Sequence, residues 1–201
     1  MGPGPLTVTV RDAAYETLRS DQDLGPVVET HGRVSLQPAE DLFQRLVTSI
    51  VRQQVSMASA AAIRERLFDA VRVTPAGILD ADPETLRDAG LSARKTRYLR
   101  EAASTFQSEG YDRETLADLS DAAVRDRLTA ITGVGDWTVD MQLMFGLGRE
   151  DVFPVGDLDI RKGMWQVVDP DLTRDEMVEI ADRWRPFRSY AALYLWRVTD
   201  D

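Results

Sequence analysis

The 201-residue sequence has no cysteine and one histidine, His31. The first absence excludes a disulfide framework, a thiol nucleophile, a cysteine-ligated zinc and an iron–sulfur cluster. The second excludes a metal site built from several histidines, and His31 beside Gly32 reads as a surface turn residue. No apolar run approaches the ~20 residues a membrane-spanning helix needs. The opening MGPGPLTVTV lacks the basic and apolar regions of a secretory signal. Together these absences point to a cytoplasmic protein with no membrane partner. Lysine is scarce: apart from Lys95 and Lys162 every basic side chain is arginine. Aspartate outnumbers glutamate, and the net charge is −10. Nucleic-acid binders ordinarily carry a basic footprint, so the global charge argues against one. An acidic, lysine-poor chain suits a cytoplasm of very high salt, where the Debye length shrinks to ~3 Å or less. A GC-rich genome also favours arginine over lysine.

What is present is a globular composition, 43% hydrophobic and 29% charged, of a length that makes one or two domains. The alternating TVTV at 7–10 reads as a short edge strand or an arm, and residues 11–37 as mixed with turns at Leu24-Gly25-Pro26 and His31-Gly32. From Pro38 the pattern is helical. Leu42, Leu46 and Ile50, flanked by Phe43, Val47 and Val51, form a wide apolar face. Ser56, Ser92 and Ser120 precede helical runs as N-caps. Thr74-Pro75 and Asp82-Pro83 join a cap to proline at the first helical position. Gly90 and Gly110 read as helix stops, and Thr173 with Glu176 as a capping box. Trp165 and Trp184 read as core. Pro186 precedes a last helix over 187–198. The fold class that follows is all-α.

One segment carries chemistry. Ile131-Thr132-Gly133-Val134-Gly135 joins two amphipathic runs within Leu128–Phe145. Its glycines allow a tight turn and close backbone approach. The turn amides, with the positive end of the following helix, also make a phosphate seat that needs no lysine or arginine. An ordinary helix–helix turn fits the same residues.

About twenty residues on comes PVGDLDIRKG, and here the chain resembles the helix-hairpin-helix DNA glycosylases, whose Gly/Pro-rich loop precedes a catalytic aspartate. The likeness is greatest to the 3-methyladenine DNA glycosylase II branch, in a compact form without the extra N-terminal β-domain. It rests on IVRQQVS at 50–56, ITGVGDWTVD at 131–140, DVFPVGDLDIRKG at 151–163 and RPFRSYAALYLW at 185–196, in that order. The resemblance implies a two-lobed fold with a cleft between the lobes. Residues 57–150 would form the bundle carrying the hairpin, and 1–56 with 151–201 a discontinuous second lobe.

It also implies roles. Asp157 matches the catalytic aspartate, a carboxylate that stabilises an oxocarbenium-like sugar as the N-glycosidic bond breaks. On its residues alone Asp157 reads as the cap of the helix that follows. Relatives that also cut the strand carry a lysine where this chain has Trp137, and an indole forms no Schiff base. That implies a monofunctional enzyme releasing alkylated purines, of the 3-methyladenine and 7-methylguanine class, from damaged duplex DNA. Trp137 and Trp196 would wall the base pocket, where a cationic alkylated base stacks on indole. Met141, which stands where a close relative has tyrosine, would line it more softly. The base must leave the stack, with Gln54 at the wedge position and Gln53 bonding an exposed base or sugar edge. Thr132, Gly133, Val134, Gly135 and Thr138 would hold phosphate, with Arg161 and Lys162 as further candidates. The carbonyls of Thr129, Ile131 and Val134 would hold a structural Na+ or K+. Arg188-Ser189-Tyr190 would brace the lobes. Nothing demands a protein partner or more than a monomer. The alternatives are the same fold acting on hypoxanthine or uracil, and a non-catalytic DNA-binding module in which Asp157 only caps.

Overall fold

A computed structural model describes residues 10–200. Among these residues every regular element is helical. No helix is long and apolar enough to cross a membrane. The TVTV segment lies outside the described residues except for Val10, which opens a helix. The chain divides into two compact units, Pro38–Gly148 and Met1–Gln37 with Arg149–Asp201. The helix over 42–52 therefore groups with the hairpin, not with the N-terminal residues as expected from sequence. Its apolar face packs against helices of that unit.

The Pro38–Gly148 unit contains α3 (Leu42–Arg52), α4 (Met57–Ala70), α5 (Pro75–Asp80), α6 (Pro83–Asp88), α7 (Ala93–Glu109), α8 (Arg113–Ala117), α9 (Asp121–Thr129) and α10 (Asp136–Phe145). Side-chain oxygens start most of them. Asp41, Ser56, Thr74, Asp82, Ser92, Asp112 and Ser120 each accept a backbone N–H in the first turn. Each such cap contributes about 1 kcal/mol. The core is the apolar face of α3: Leu46, Val47, Ile50 and Val51 are fully buried, against α7 and α10. Phe43 meets Phe106 of α7 at 5.3 Å between ring centres. The buried Gln142 of α10 bridges to α3, donating to the Leu42 carbonyl and accepting the Leu46 N–H.

The other unit contains α1 (Val10–Arg19), α2 (Gly25–His31), α11 (Leu158–Val167), α12 (Arg174–Ala181), a 3₁₀ turn (Asp182–Trp184) and α13 (Arg188–Asp200). The mixed reading of 11–37 is thus replaced by two short helices. Pro26, taken there as a turn, lies in the first turn of α2, where its missing N–H costs nothing. Trp184 is fully buried as expected, whereas Trp165 is half-buried and donates to the Leu172 carbonyl. Tyr194 Oη donates to the Gly32 carbonyl at 2.7 Å, fixing α13 against the end of α2.

Helices α11 and α13 approach closely at Gly163. A Cβ built there falls 2.7 Å from the Leu195 carbonyl oxygen, a backbone atom that cannot turn aside. Gly163→Ala is therefore expected to cost about 1–3 kcal/mol by overpacking. The thermal midpoint of the purified variant checks this, and an unchanged midpoint would contradict the close approach.

Candidate active site and nucleic-acid interface

Within the hairpin unit, residues 130–135 link α9 to α10. Gly133 has a φ of +87°, and a Cβ on it would fall 2.3 Å from atoms of the Tyr98 ring, so glycine is required twice over. Gly135 differs: its φ is −105° and its Cβ would point into open space. Gly135 also caps α10 with no side chain, unlike the Ser, Thr and Asp caps of its neighbours. The positive end of α10 is thus open to a close-approaching anion.

Beside this turn is a cavity of about 480 Å³ lined by Gln53, Gln54, Arg94, Tyr98, Gly135 and Trp137 among others. It brings together the QQVS and GVGDW segments, which the sequence separates by some eighty residues. Gln53 Nε2 donates to the Gly133 carbonyl at 2.9 Å and to Thr138 Oγ1 at 3.2 Å. Thr138 is buried, 2% exposed. These two side chains, expected to meet DNA directly, instead pair with each other and fix the hairpin to the end of α3. Gln54 is exposed. Trp137 lines the cavity, half-buried. Met141, one turn on, is 2% exposed and does not line it. Thr132 is exposed and Val134 buried.

Sequence reasoning passed over Lys95. It is buried, and its Nζ donates to the Val51 carbonyl at 2.6 Å, capping the carbonyl end of α3. Burial, and then the neighbouring Arg94 charge, lower its pKa from the ordinary lysine value. No local pattern marks a lysine whose partner is 44 residues away.

In the other unit Asp157 is the N-cap of α11. Its Oδ1 accepts the Asp159 N–H at 2.8 Å and the Ile160 N–H at 3.3 Å. Trp196 Nε1 donates to the same oxygen at a long 3.4 Å. Asp157 is thus the cap that its own residues suggested, a half-buried carboxylate beside an indole. The close α11–α13 packing at Gly163 and Leu195 puts Trp196, the next residue, on Asp157. Three N–H groups, two of backbone and one of indole, thus converge on one carboxylate oxygen at the start of α11.

The chain has counterparts among known proteins. Residues 47–186 match the model of the HhH-GPD superfamily of base excision DNA repair proteins. The chain belongs to this superfamily. A putative DNA-3-methyladenine glycosylase of Bacillus subtilis is 29% identical over 89% of the chain, which spans 66% of that relative's length. DNA-3-methyladenine glycosylase 1 of Schizosaccharomyces pombe is 34% identical over 78% of the chain and 72% of its own length. The crystal structure of a 3-methyladenine DNA glycosylase from the same yeast, in complex with abasic DNA, superposes with a TM-score of 0.87. That match has 32% identity and covers 94% of this chain and 97% of the other.

Several other motif residues of this HhH-GPD chain have structural partners. Arg161 Nη1 donates to the Val155 and Gly156 carbonyls, and Lys162 pairs with Asp159 at 2.9 Å. Arg188 Nε lies 2.7 Å from Asp151 Oδ1, and Ser189 Oγ accepts the Val152 N–H at 2.9 Å. These bonds tie residues 149–152 to the start of α13, bracing one unit internally where the sequence had suggested a brace between lobes.

Proposed function

We propose that the protein is a monofunctional DNA N-glycosylase that releases alkylated purines, of the 3-methyladenine and 7-methylguanine class, from duplex DNA in base-excision repair. The observation that carries this reading is Asp157, held by two N–H donors at the start of α11 with the Trp196 indole on its carboxylate. The names of the yeast and Bacillus relatives support the substrate class.

In this reading the departing base leaves its sugar electron-poor, and the Asp157 carboxylate stabilises the developing charge near the anomeric carbon. Water then completes hydrolysis and leaves an abasic site. The Trp196 N–H orients the carboxylate, and the Trp137 indole stacks on the extruded base, most strongly when alkylation has made it cationic. Trp137 stands in the lyase-lysine position of related enzymes and carries no amine, so the sugar–phosphate chain stays intact. The Gly133–Gly135 turn and the N-terminus of α10 take a phosphate, an interaction of local dipoles compatible with the overall negative charge. Among the described residues no group of three His, Asp or Glu side chains is placed to hold a metal. The Ile131 carbonyl accepts the Val134 N–H at 3.0 Å and keeps a second lone pair. With the carbonyls of Thr129 and Val134 it would suit a monovalent cation of structural use.

Incubation with an end-labelled duplex bearing one 7-methylguanine, with and without mild alkali, tests the monofunctional claim. Strands should break only after alkali. Scission without alkali, trapped by borohydride, would contradict it.

A further inference from the structure

Among the side chains of the cavity beside the hairpin to which the proposed function gives no role is Arg94. Arg94, at the start of α7, is exposed, and its Nη2 donates to Gln54 Oε1 at 2.8 Å. Gln54 has a φ of +57°, in the left-handed region that a residue with a side chain rarely occupies. Such backbone persists where its surroundings hold it, and it gathers at sites that bind or switch.

The surroundings here are of two kinds. On the inner side the corner is held by buried bonds, Lys95 Nζ on the Val51 carbonyl and the Gln53 amide on Gly133 and Thr138. On the outer side it is held by Arg94. A bond between two exposed side chains competes with water and contributes little, so it opens without disturbing the inner bonds. The local charge points the same way. In a chain of net charge −10, Arg94, Lys95 and Arg97 cluster at the start of α7, and the first two line the cavity with the hairpin glycines.

We propose that Arg94 is a positioning residue with two partners. In the free protein it latches Gln54 over the cavity. On duplex DNA, as Gln54 enters the base stack, the guanidinium passes to a backbone phosphate near the one at the hairpin. The exchange replaces a bond to a neutral amide by a charge-assisted one, so releasing the wedge is coupled to engaging the strand. The proposal rests on the DNA-glycosylase reading.

The test is the affinity for a duplex containing a tetrahydrofuran abasic-site analogue, measured across a fourfold range of salt. One phosphate contact contributes about 0.9 to the slope of log K against log salt. Arg94→Met should therefore flatten the slope by about 1, losing about 3–4-fold less affinity than the native protein over that range. Arg94→Lys should restore the slope, and Gln54→Ala should leave it unchanged. The double variant should bind about twofold more weakly than the product of the two single losses, because either single variant already removes from the free protein a latch that the complex lacks. An unchanged slope in Arg94→Met, with the native protein binding normally, overturns the proposal and leaves the glycosylase reading standing. Losses that simply multiply overturn the exchange. A native protein that binds no duplex overturns both readings.

Discussion

Asp157→Asn is expected to abolish base release, by at least about 10²–10³-fold, while leaving the protein folded. The reasoning separates two duties of one side chain. As a cap, Asp157 needs an oxygen that accepts the Asp159 and Ile160 N–H groups. Asparagine supplies that oxygen and ranks with aspartate as an N-cap, so stability should change by less than about 1 kcal/mol. Trp196 Nε1 can donate to the amide oxygen as it does to the carboxylate. What asparagine lacks is the negative charge that, in the proposed reaction, stabilises the oxocarbenium-like sugar. Asp157→Ala provides the complementary case, since it should lose turnover to the same extent and about 1 kcal/mol of stability as well. Single-turnover base release and thermal midpoints of the three proteins check both statements. A folded Asp157→Asn variant retaining native turnover would reduce the residue to a cap.

The second large effect divides the two hairpin glycines. Gly133→Ala places a Cβ 2.3 Å from the Tyr98 ring at a φ of +87°. Overpacking of about 1–3 kcal/mol adds to about 1–2 kcal/mol for the left-handed backbone, a combined destabilisation of about 2–5 kcal/mol. Gly135→Ala has no such cost: its Cβ meets nothing and its φ is ordinary. The fold gives Gly135 no steric reason to be glycine, whereas the proposed phosphate seat needs close backbone approach at the start of α10. Gly135→Ala should therefore keep nearly native stability and lose DNA affinity by tenfold or so, about 1.4 kcal/mol. Chemical denaturation and fluorescence anisotropy on the same preparations distinguish the two. Equal DNA affinity for Gly135→Ala and the native protein would contradict a phosphate seat at this turn.

The sequence disclosed what is local. Ser56, Thr74, Asp82, Ser92, Ser120 and Thr173 announce helix starts because a cap bonds N–H groups two or three residues on. The same locality applies to the capping box of Asp112 and Thr115, which opens α8. Helices α1 and α2 were obscured because Gly25-Pro26 is equally a turn signal and the first turn of a helix. In the candidate site, Asp157 was legible as a cap, and its motif marks it for the catalytic role proposed above. The roles of Gln53, Lys95 and Arg94 were not, because each depends on a partner forty to eighty residues away. Burial of Met141 and Thr138 escaped notice for a related reason. Whether a face of α10 meets the core or a ligand is decided by α3 and α9 packing on it, and the periodicity of α10 does not reveal that.

The central claim is tested most directly by measuring free bases released from N-methylated duplex DNA by the native protein, at low and at molar KCl. The account predicts 3-methyladenine or 7-methylguanine in solution and an intact, alkali-labile strand left behind. Folded protein that binds the duplex yet releases neither base at either salt would contradict it.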